Sequence, residues 1–394
     1  MPKDTDRHLE DLIAIRRDFH EHPEIAFEEE RTSKIVAEKL REWGMDEVHT
    51  GIAKTGVVGV LHGNGGGSNR AIGLRADMDA LPMDETTGLQ YASKNPGRMH
   101  ACGHDGHTTM LLGAARHLAE NRNFDGTVYF FFQPAEEGGG GGRVMVEEGL
   151  FDRFPVETVW GMHNMPGLPA GHMAMRPGPM MAAADLVEIT VDSVGAHGAM
   201  PHKGVDAVLV ASHIVVAAQS IVSRNVDPLD NAVVSLTALN SGTAFNVIPE
   251  VAHIKGTVRT YKKEVQDMVE DNLRRIVENT AAAYGATAKL DFKRNYPATV
   301  NTAEETDFAA DVARKVVGDS SVDTTINPLM GGEDFSFMLN ERPGAYVFLG
   351  NGMPGEKGGI GVHNPGYDFN DDVIGTGIAY WAELVETALP ASRG

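Results

Sequence analysis

GTVYFFFQ, residues 126–133, is apolar at nearly every position. A strand with one face in water alternates apolar and polar side chains, so an unbroken apolar run fits a central strand covered on both faces. This predicts a mixed or parallel sheet with helices around it, an α/β fold. Upstream, VVGVLH at 57–62 and AIGLRA at 71–76 are shorter runs of the same kind. Helical stripes precede and follow them: Leu9, Leu12, Ile13 and Phe19; Ile35, Val36, Leu40 and Trp43; and TTMLLGAARHLAE at 108–120.

From Leu186 the pattern changes. The order reads strand (LVEITVDSV), helix (VDAVLVASHIVVAAQSIVS), strand (AVVSLTALN), strand (EVAHIKGTVRTY), helix (VQDMVEDNLRRIVENTAAAYG), strand (ATAKLDFKRNY). This is the β-α-β-β-α-β order of a ferredoxin-like unit. Alternation at Val187, Ile189 and Val191 predicts a sheet with one less buried face. After residue 298 the first style returns, with AYVFLG as a strand and a final helix around 371–388. The expected organisation is a discontinuous domain, residues 1–184 and 298–394, interrupted by a ferredoxin-like α+β domain at 185–297.

The chain has 394 residues, 42% of them hydrophobic, enough for two cores. A net charge of −21 argues against nucleic acid or an anionic membrane as partner, since both require basic patches. One cysteine excludes an intrachain disulfide. The start MPKDTDRHLEDL is too charged for a secretory apolar core, and with no run of about 18 apolar residues no membrane span is expected. The expectation is a soluble, cytoplasmic protein acting on a small molecule.

The chemistry concentrates at HACGHDGH, residues 100–107, where that cysteine lies two residues from a histidine. In an extended segment Cys102 and His104 would project to the same side. A lone cysteine is most often a buried free thiol, but so polar a segment makes a poor core. A helix from Thr108 would place the pair at a helix N-terminus. FQPAEEGGGGG adds Glu136 and Glu137 at the end of the apolar strand, WGMHNMPG adds His163, and GVHNPGYDFND adds His363. An isolated Glu-Glu pair is usually a solvated turn, and either histidine alone is usually a surface residue. As a set, one thiolate, three imidazoles and one carboxylate suit two borderline divalent ions such as zinc, manganese, cobalt or nickel. The second carboxylate is left to handle protons. His20, His22, His49, His62, His117, His172, His213 and His253 read as structural or surface residues. The glycine run at 138–142 permits unusual backbone angles near a ligand.

Ten segments run in order through nearly the whole chain: RRDFHEHPEIAFEE, GLRADMDALPMDE, HACGHDGH, FQPAEEG, MHNMPGLPAG, GAHGAMPH, GTAFNVIPE, GTVRTY, MGGEDFSFML and HNPGYDFND. In them the chain resembles the aminoacylase and hippurate-hydrolase branch of the dinuclear metallopeptidases, relatives of the glutamate carboxypeptidases and of plant auxin-conjugate hydrolases. The resemblance implies that Cys102, His104, Glu137, His163 and His363 hold two metal ions, with Cys102 as the bridging ligand, and that Glu136 is the general acid/base. It implies that Asp79 orients a ligand, that His197 reaches a neighbouring subunit's site to polarise the scissile carbonyl, and that Asn246 and Arg259 hold the substrate carboxylate. It makes the inserted domain a lid and a dimerisation unit. Other branches carry an HxD histidine where this chain has Asp77, so the ligand map departs from theirs.

The reaction this implies is metal-dependent hydrolysis of the amide bond of an N-acyl amino acid. A dipeptidase or carboxypeptidase is the alternative within enzymes. A silent metal-binding protein is the alternative outside them, against which the intact Glu136 counts. Met180, Met181, Met200 and Phe245 hint at bulky or aromatic acyl groups, although methionines more often fill cores.

Overall fold

The computed structural model describes residues 8–64 and 67–391. The charged stretch MPKDTDR at the start, on which the secretory argument partly rested, lies outside them. The chain divides into two compact units: Met1–Met180 with Val300–Asn327 and Asp334–Gly394, and Met181–Thr299 with Pro328–Glu333. The dividing points differ by a few residues from 184/185 and 297/298. Residues 328–333 join the second unit, where Leu329 bridges to Met181.

The first unit is built on an eight-stranded mixed sheet. Its strands are ordered Glu47–Ile52, Gly56–His62, Thr127–Gln133, Ala71–Asp77, Thr158–Pro166, Gly344–Gly352, Met173–Ala174 and Val322–Asp323. The four strands Thr127–Gln133, Ala71–Asp77, Thr158–Pro166 and Gly344–Gly352 are mutually parallel. In the FFF run, Phe130 and Phe132 join the large core that also holds Leu12, Val36, Leu112 and Trp381 from four helices. Phe131 points the other way, its ring 6.3 Å from that of Phe151 in the short Leu150–Arg153 helix. Both faces of this strand are therefore covered, as its unbroken apolar run requires.

The second unit carries a four-stranded antiparallel sheet in the order Ala232–Ser241, Val251–Thr260, Ala183–Asp192, Thr287–Tyr296. Numbered along the chain this is 2-3-1-4, the ferredoxin-like arrangement. Val187, Ile189 and Val191 are buried under the helices while Leu186 and Glu188 face out, which is the expected alternation. The helix Ala207–Ser220 runs on into a π-helical turn, Ile221–Asn225. Ala207–Asn225 is not an unbroken apolar run, but among the described residues it is the one helix long and apolar enough on average to cross a membrane by length and composition, 19 residues with mean hydropathy 1.5. Ser212, His213 and Gln219 break the run in sequence without lowering its average enough. One face of this helix, Ala207, Val210, Ala211, Ile214 and Ala218, is buried in the second core.

Candidate metal centre and catalytic turn

Parallel strands end on one edge of a sheet, and there the loops that follow them collect. Ala71–Asp77 leads into Asp79, Thr127–Gln133 leads into Glu136 and Glu137, and Thr158–Pro166 carries His163 near its end. Cys102 and His104 join them from a turn, not from the extended segment considered above. Gly103 stands at φ +90° and His104 opens the helix His104–Asn121, four residues earlier than expected. The turn is clamped from behind: Asn164 Nδ2 donates to Cys102 O at 2.7 Å, and Tyr367 donates its hydroxyl to Asn164 Oδ1 at 2.7 Å.

The donor atoms of Cys102, His104 and His163 lie within 4.8 Å of one another, and so do those of Cys102, Glu137 and His363. Cys102 belongs to both groups. In His163, Nδ1 lies 2.5 Å from Asn164 O, so it carries the proton there and leaves Nε2 facing Cys102 Sγ at 3.3 Å. In His104, Nδ1 is 3.3 Å from Asp79 Oδ1. Its Nε2 is buried, makes no hydrogen bond, and stands 4.0 Å from Glu137 Oε1. His363 sits at φ +59°, donates its backbone N–H to Ala101 O at 2.7 Å, and brings Nε2 to 3.1 Å from Glu137 Oε1. A buried imidazole nitrogen without a hydrogen bond, 3.7 Å from Asp77 Oδ2 and beside a thiol and a second carboxylate, is what a borderline divalent cation would satisfy, so the residues fit such ions.

The electrostatics agree with a site built for cations. Burial pushes the Cys102 thiol well above its ordinary value, and Glu137 and Glu136 push it further. Burial opposes the imidazolium of His104, but Asp77 and Asp79 outweigh it and raise the group to about 10. His163 is held well below its usual value by burial and by His107. Burial would raise Glu137, yet its hydrogen bond to His363 and the charge of His104 lower it.

The turn after the central strand is unusually constrained. Ala135 adopts φ +56°, a left-handed conformation rare for a residue with a Cβ. Glu136 and Glu137 donate their backbone N–H groups to the two oxygens of Asp79, at 3.0 and 2.9 Å. The buried Glu136 side chain has a carboxylate oxygen within 4.8 Å of donor atoms of His104 and Glu137.

Residues 73–387 match the model of peptidase family M20/M25/M40. The chain belongs to this family. It is 46% identical over 370 residues to a hippurate hydrolase of Campylobacter jejuni, covering 94% of each chain. It is 40% identical over 354 residues to thermostable carboxypeptidase 1 of Saccharolobus solfataricus, covering 88% of each. Its structure matches that of Bacillus subtilis YXEP, described as a dinuclear metal binding peptidase from the M20 family, with a TM-score of 0.84, 34% identity, and coverage of 98% and 100% of the two chains.

Sequence reasoning left two buried neighbours of these candidate ligands, His107 and Asp77, without a role. His107, one helical turn after His104, has Nδ1 2.6 Å from Asp77 Oδ1, and its Nε2 accepts the Asn164 N–H at 2.9 Å. Both ring nitrogens are engaged, so the motif's last histidine is a strut. Asp77, standing where other branches carry histidine, also pairs with Arg75 at 2.8 Å. A signal existed in the spacing of His104 and His107, which puts both on one helix face.

The remaining candidates of this M20 chain lie in the second unit. His197 is exposed on the two-residue strand Ala196–His197, which pairs with Val247–Ile248 beside Asn246; Gly198 donates to Asn246 O at 2.7 Å. Arg259 is half-buried near the other end of the sheet, opposite Ala184, and its guanidinium contacts Thr257 Oγ1 and Val258 O. Burial lowers its pKa against the pull of Asp185. From the Ala184 position to Asp192, where the strand ends ahead of His197, is about 26 Å of strand. Within one copy of this unit the structure does not bring His197 and Arg259 together.

Proposed function

We propose that this M20 enzyme hydrolyses the amide bond of N-acyl amino acids, releasing a carboxylic acid and a free amino acid. The observation that carries the reading is the pairing of a cation-ready donor set, Cys102, His104, Glu137, His163 and His363, with a second buried carboxylate, Glu136, on a pinned turn. Cys102, His104, Glu137, His163 and His363 would hold two divalent ions, which would supply Lewis acidity and bring the pKa of water down towards about 7. Glu136 accepts a proton from the attacking water and delivers it to the leaving nitrogen. Asp79 keeps the Nδ1 proton of His104 in place and so presents Nε2 to the metal. Arg259 holds the substrate carboxylate, for which an arginine fork is suited, together with Asn246 of the partner subunit, since Asn246 stands beside His197 and away from Arg259 within one copy. His197 of the partner subunit donates to the developing oxyanion.

The separation of His197 from Arg259 supports a homodimer in which each second unit serves two sites. So does the outer face of the Ala207–Ser220 helix, where Leu209 is 46% and Val216 70% exposed. We place the enzyme in the cytoplasm, because a reducing compartment keeps the single cysteine available as a thiolate ligand. The hippurate hydrolase relative favours aromatic acyl groups, and the carboxypeptidase relative makes short peptides the second reading.

The test is amino-acid release from N-benzoylglycine, N-acetylmethionine and a free-amine dipeptide, before and after chelation and with manganese, zinc, cobalt or nickel restored. Release that a chelator abolishes and one metal restores is expected, with the acylated substrates ahead of the dipeptide. Glu136→Gln should lower turnover by about two orders of magnitude or more at unchanged metal content. A metal-loaded Glu136→Gln enzyme that stays active removes Glu136 from its role.

A further inference from the structure

The sequence HPEIAFEEE, ahead of the second helix, contains a carboxylate that neither the donor set nor the proton path uses. Glu29 is fully buried. Its Oε1 accepts the backbone N–H of Phe27 at 3.0 Å and of Ala135 at 2.9 Å, and its Oε2 accepts the Thr55 hydroxyl at 2.6 Å. Each contact lies at or beside a non-glycine residue in the left-handed region: Phe27 at φ +61°, Ala135 at φ +56°, and Lys54, next to Thr55, at φ +72°. Such backbone is held only where surrounding contacts over-determine it, and it concentrates where function requires a fixed geometry.

The Ala135 contact reaches the chemistry. With Glu29 on the N–H of Ala135 and Asp79 on those of Glu136 and Glu137, three successive backbone donors of the PAEEG turn end on two buried carboxylates. The direction in which the Glu136 side chain leaves the turn is set by the φ and ψ of Ala135 and Glu136. Asp79 holds the second residue of that pair, and Glu29 holds the first.

We infer that Glu29 is a positioning residue for proton transfer: by accepting the Ala135 N–H it locks the left-handed turn that aims the Glu136 carboxylate. This rests on the reading of Glu136 as the acid/base. What matters is the hydrogen bond and not the charge. A glutamine keeps one carbonyl oxygen for both N–H groups and can turn its NH2 towards Thr55 Oγ1, whereas alanine removes the acceptor of two buried donors, Ala135 N–H and the Thr55 hydroxyl, and of the half-buried Phe27 N–H.

The test uses the full-length, metal-loaded enzyme on N-benzoylglycine, with kcat, KM, metal content and melting temperature measured for each variant. Glu29→Gln should stay within about threefold of wild-type kcat. Folded Glu29→Ala should fall by about 30-fold or more, with KM within about twofold and metal content unchanged. If Glu29→Ala does not fold, Glu29→Asp replaces it: the charge stays, but a side chain shorter by one methylene draws the carboxylate back from the Ala135 N–H, and the same loss of kcat is expected. Thr55→Val removes a contact of the same carboxylate away from the catalytic turn, and should lower the melting temperature while leaving kcat in place. The inference is overturned if the folded alanine or aspartate variant keeps kcat within about threefold, if glutamine fails as badly as alanine, or if Thr55→Val loses as much kcat as Glu29→Ala. Glu136→Gln, run alongside, separates the two levels. If that variant is active, or wild type cleaves no acylated substrate, the functional reading falls and takes this inference with it. If it is dead while Glu29→Ala is active, only the role of Glu29 falls.

Discussion

His20 shows how far one side chain's environment can depart from its sequence context. As a lone histidine in a helix it reads as structural, yet it is fully buried, with Nδ1 2.8 Å from Asp105 Oδ2 and Nε2 3.4 Å from Glu85 Oε2. Arg16, one turn earlier, pairs with the same Asp105 at 3.4 Å and with Asp371 at 2.7 Å. Burial lowers the pKa of His20, but the hydrogen bond to Asp105 and the close carboxylate of Glu85 outweigh it and push the group up to about 9. A folded-state pKa above the unfolded value stabilises the fold fully below about pH 6.5, and that contribution is lost as pH rises through about 9. The full span corresponds to an order of 3 kcal/mol. In chelated protein the melting temperature should therefore fall over this range, and in His20→Gln the fall should be shallower. Equal slopes in the two proteins would show that His20 is not protonated in the fold. None of this was legible in RRDFHEHPE, because both carboxylates arrive from segments far along the chain. Glu29 was hidden for the same reason. The candidate ligands could be picked out, since thiol, imidazole and carboxylate announce their chemistry by type, and the structure gathers them into clusters.

Among elements, the helix His104–Asn121 shows what periodicity can and cannot place. Its apolar body was readable from Thr108 onward, but its start was not, because that depends on Gly103 turning left-handed against groups more than 60 residues away. A Cβ on Gly103 would lie 2.3 Å from Asn164 Nδ2 and 2.5 Å from the Tyr367 hydroxyl. Those two groups hold the Cys102 carbonyl in place, so the strain would pass directly into the turn that carries the candidate ligands Cys102 and His104. Gly103→Ala is expected to cost about 2–4 kcal/mol and to lower metal occupancy, as read by thermal melting and elemental analysis. A variant with wild-type metal content and stability would mean that the turn has slack the contacts do not show. Long strands and helices were predictable because each repeats its pattern many times. Two-residue strands such as Ala196–His197 and Met173–Ala174 were not, because they exist only through their partners.

On the scale of the molecule, the proposed dimer makes activity depend on association. Replacing Leu209 and Val216 together by glutamate puts two charges on the exposed apolar face of the Ala207–Ser220 helix without touching its buried side. Sedimentation should show dimers for wild type and monomers for the double variant, and the monomers should lose turnover together with access to His197 of the partner subunit. A fully active monomer would sink that arrangement. The order of strands in the large sheet has a different consequence, felt before the protein is complete. Val159 pairs with Gly344, and every pair in that ladder joins residues about 185 apart. A ribosome adding about 5–20 residues per second delivers the Gly344–Gly352 strand about 10–40 s after the Thr158–Pro166 strand. Until then the earlier strand lacks that neighbour and presents an open edge, while the four strands of the second unit emerge consecutively and can close their sheet. Nascent chains interrupted in that interval are therefore the species in which chaperone binding or aggregation should concentrate.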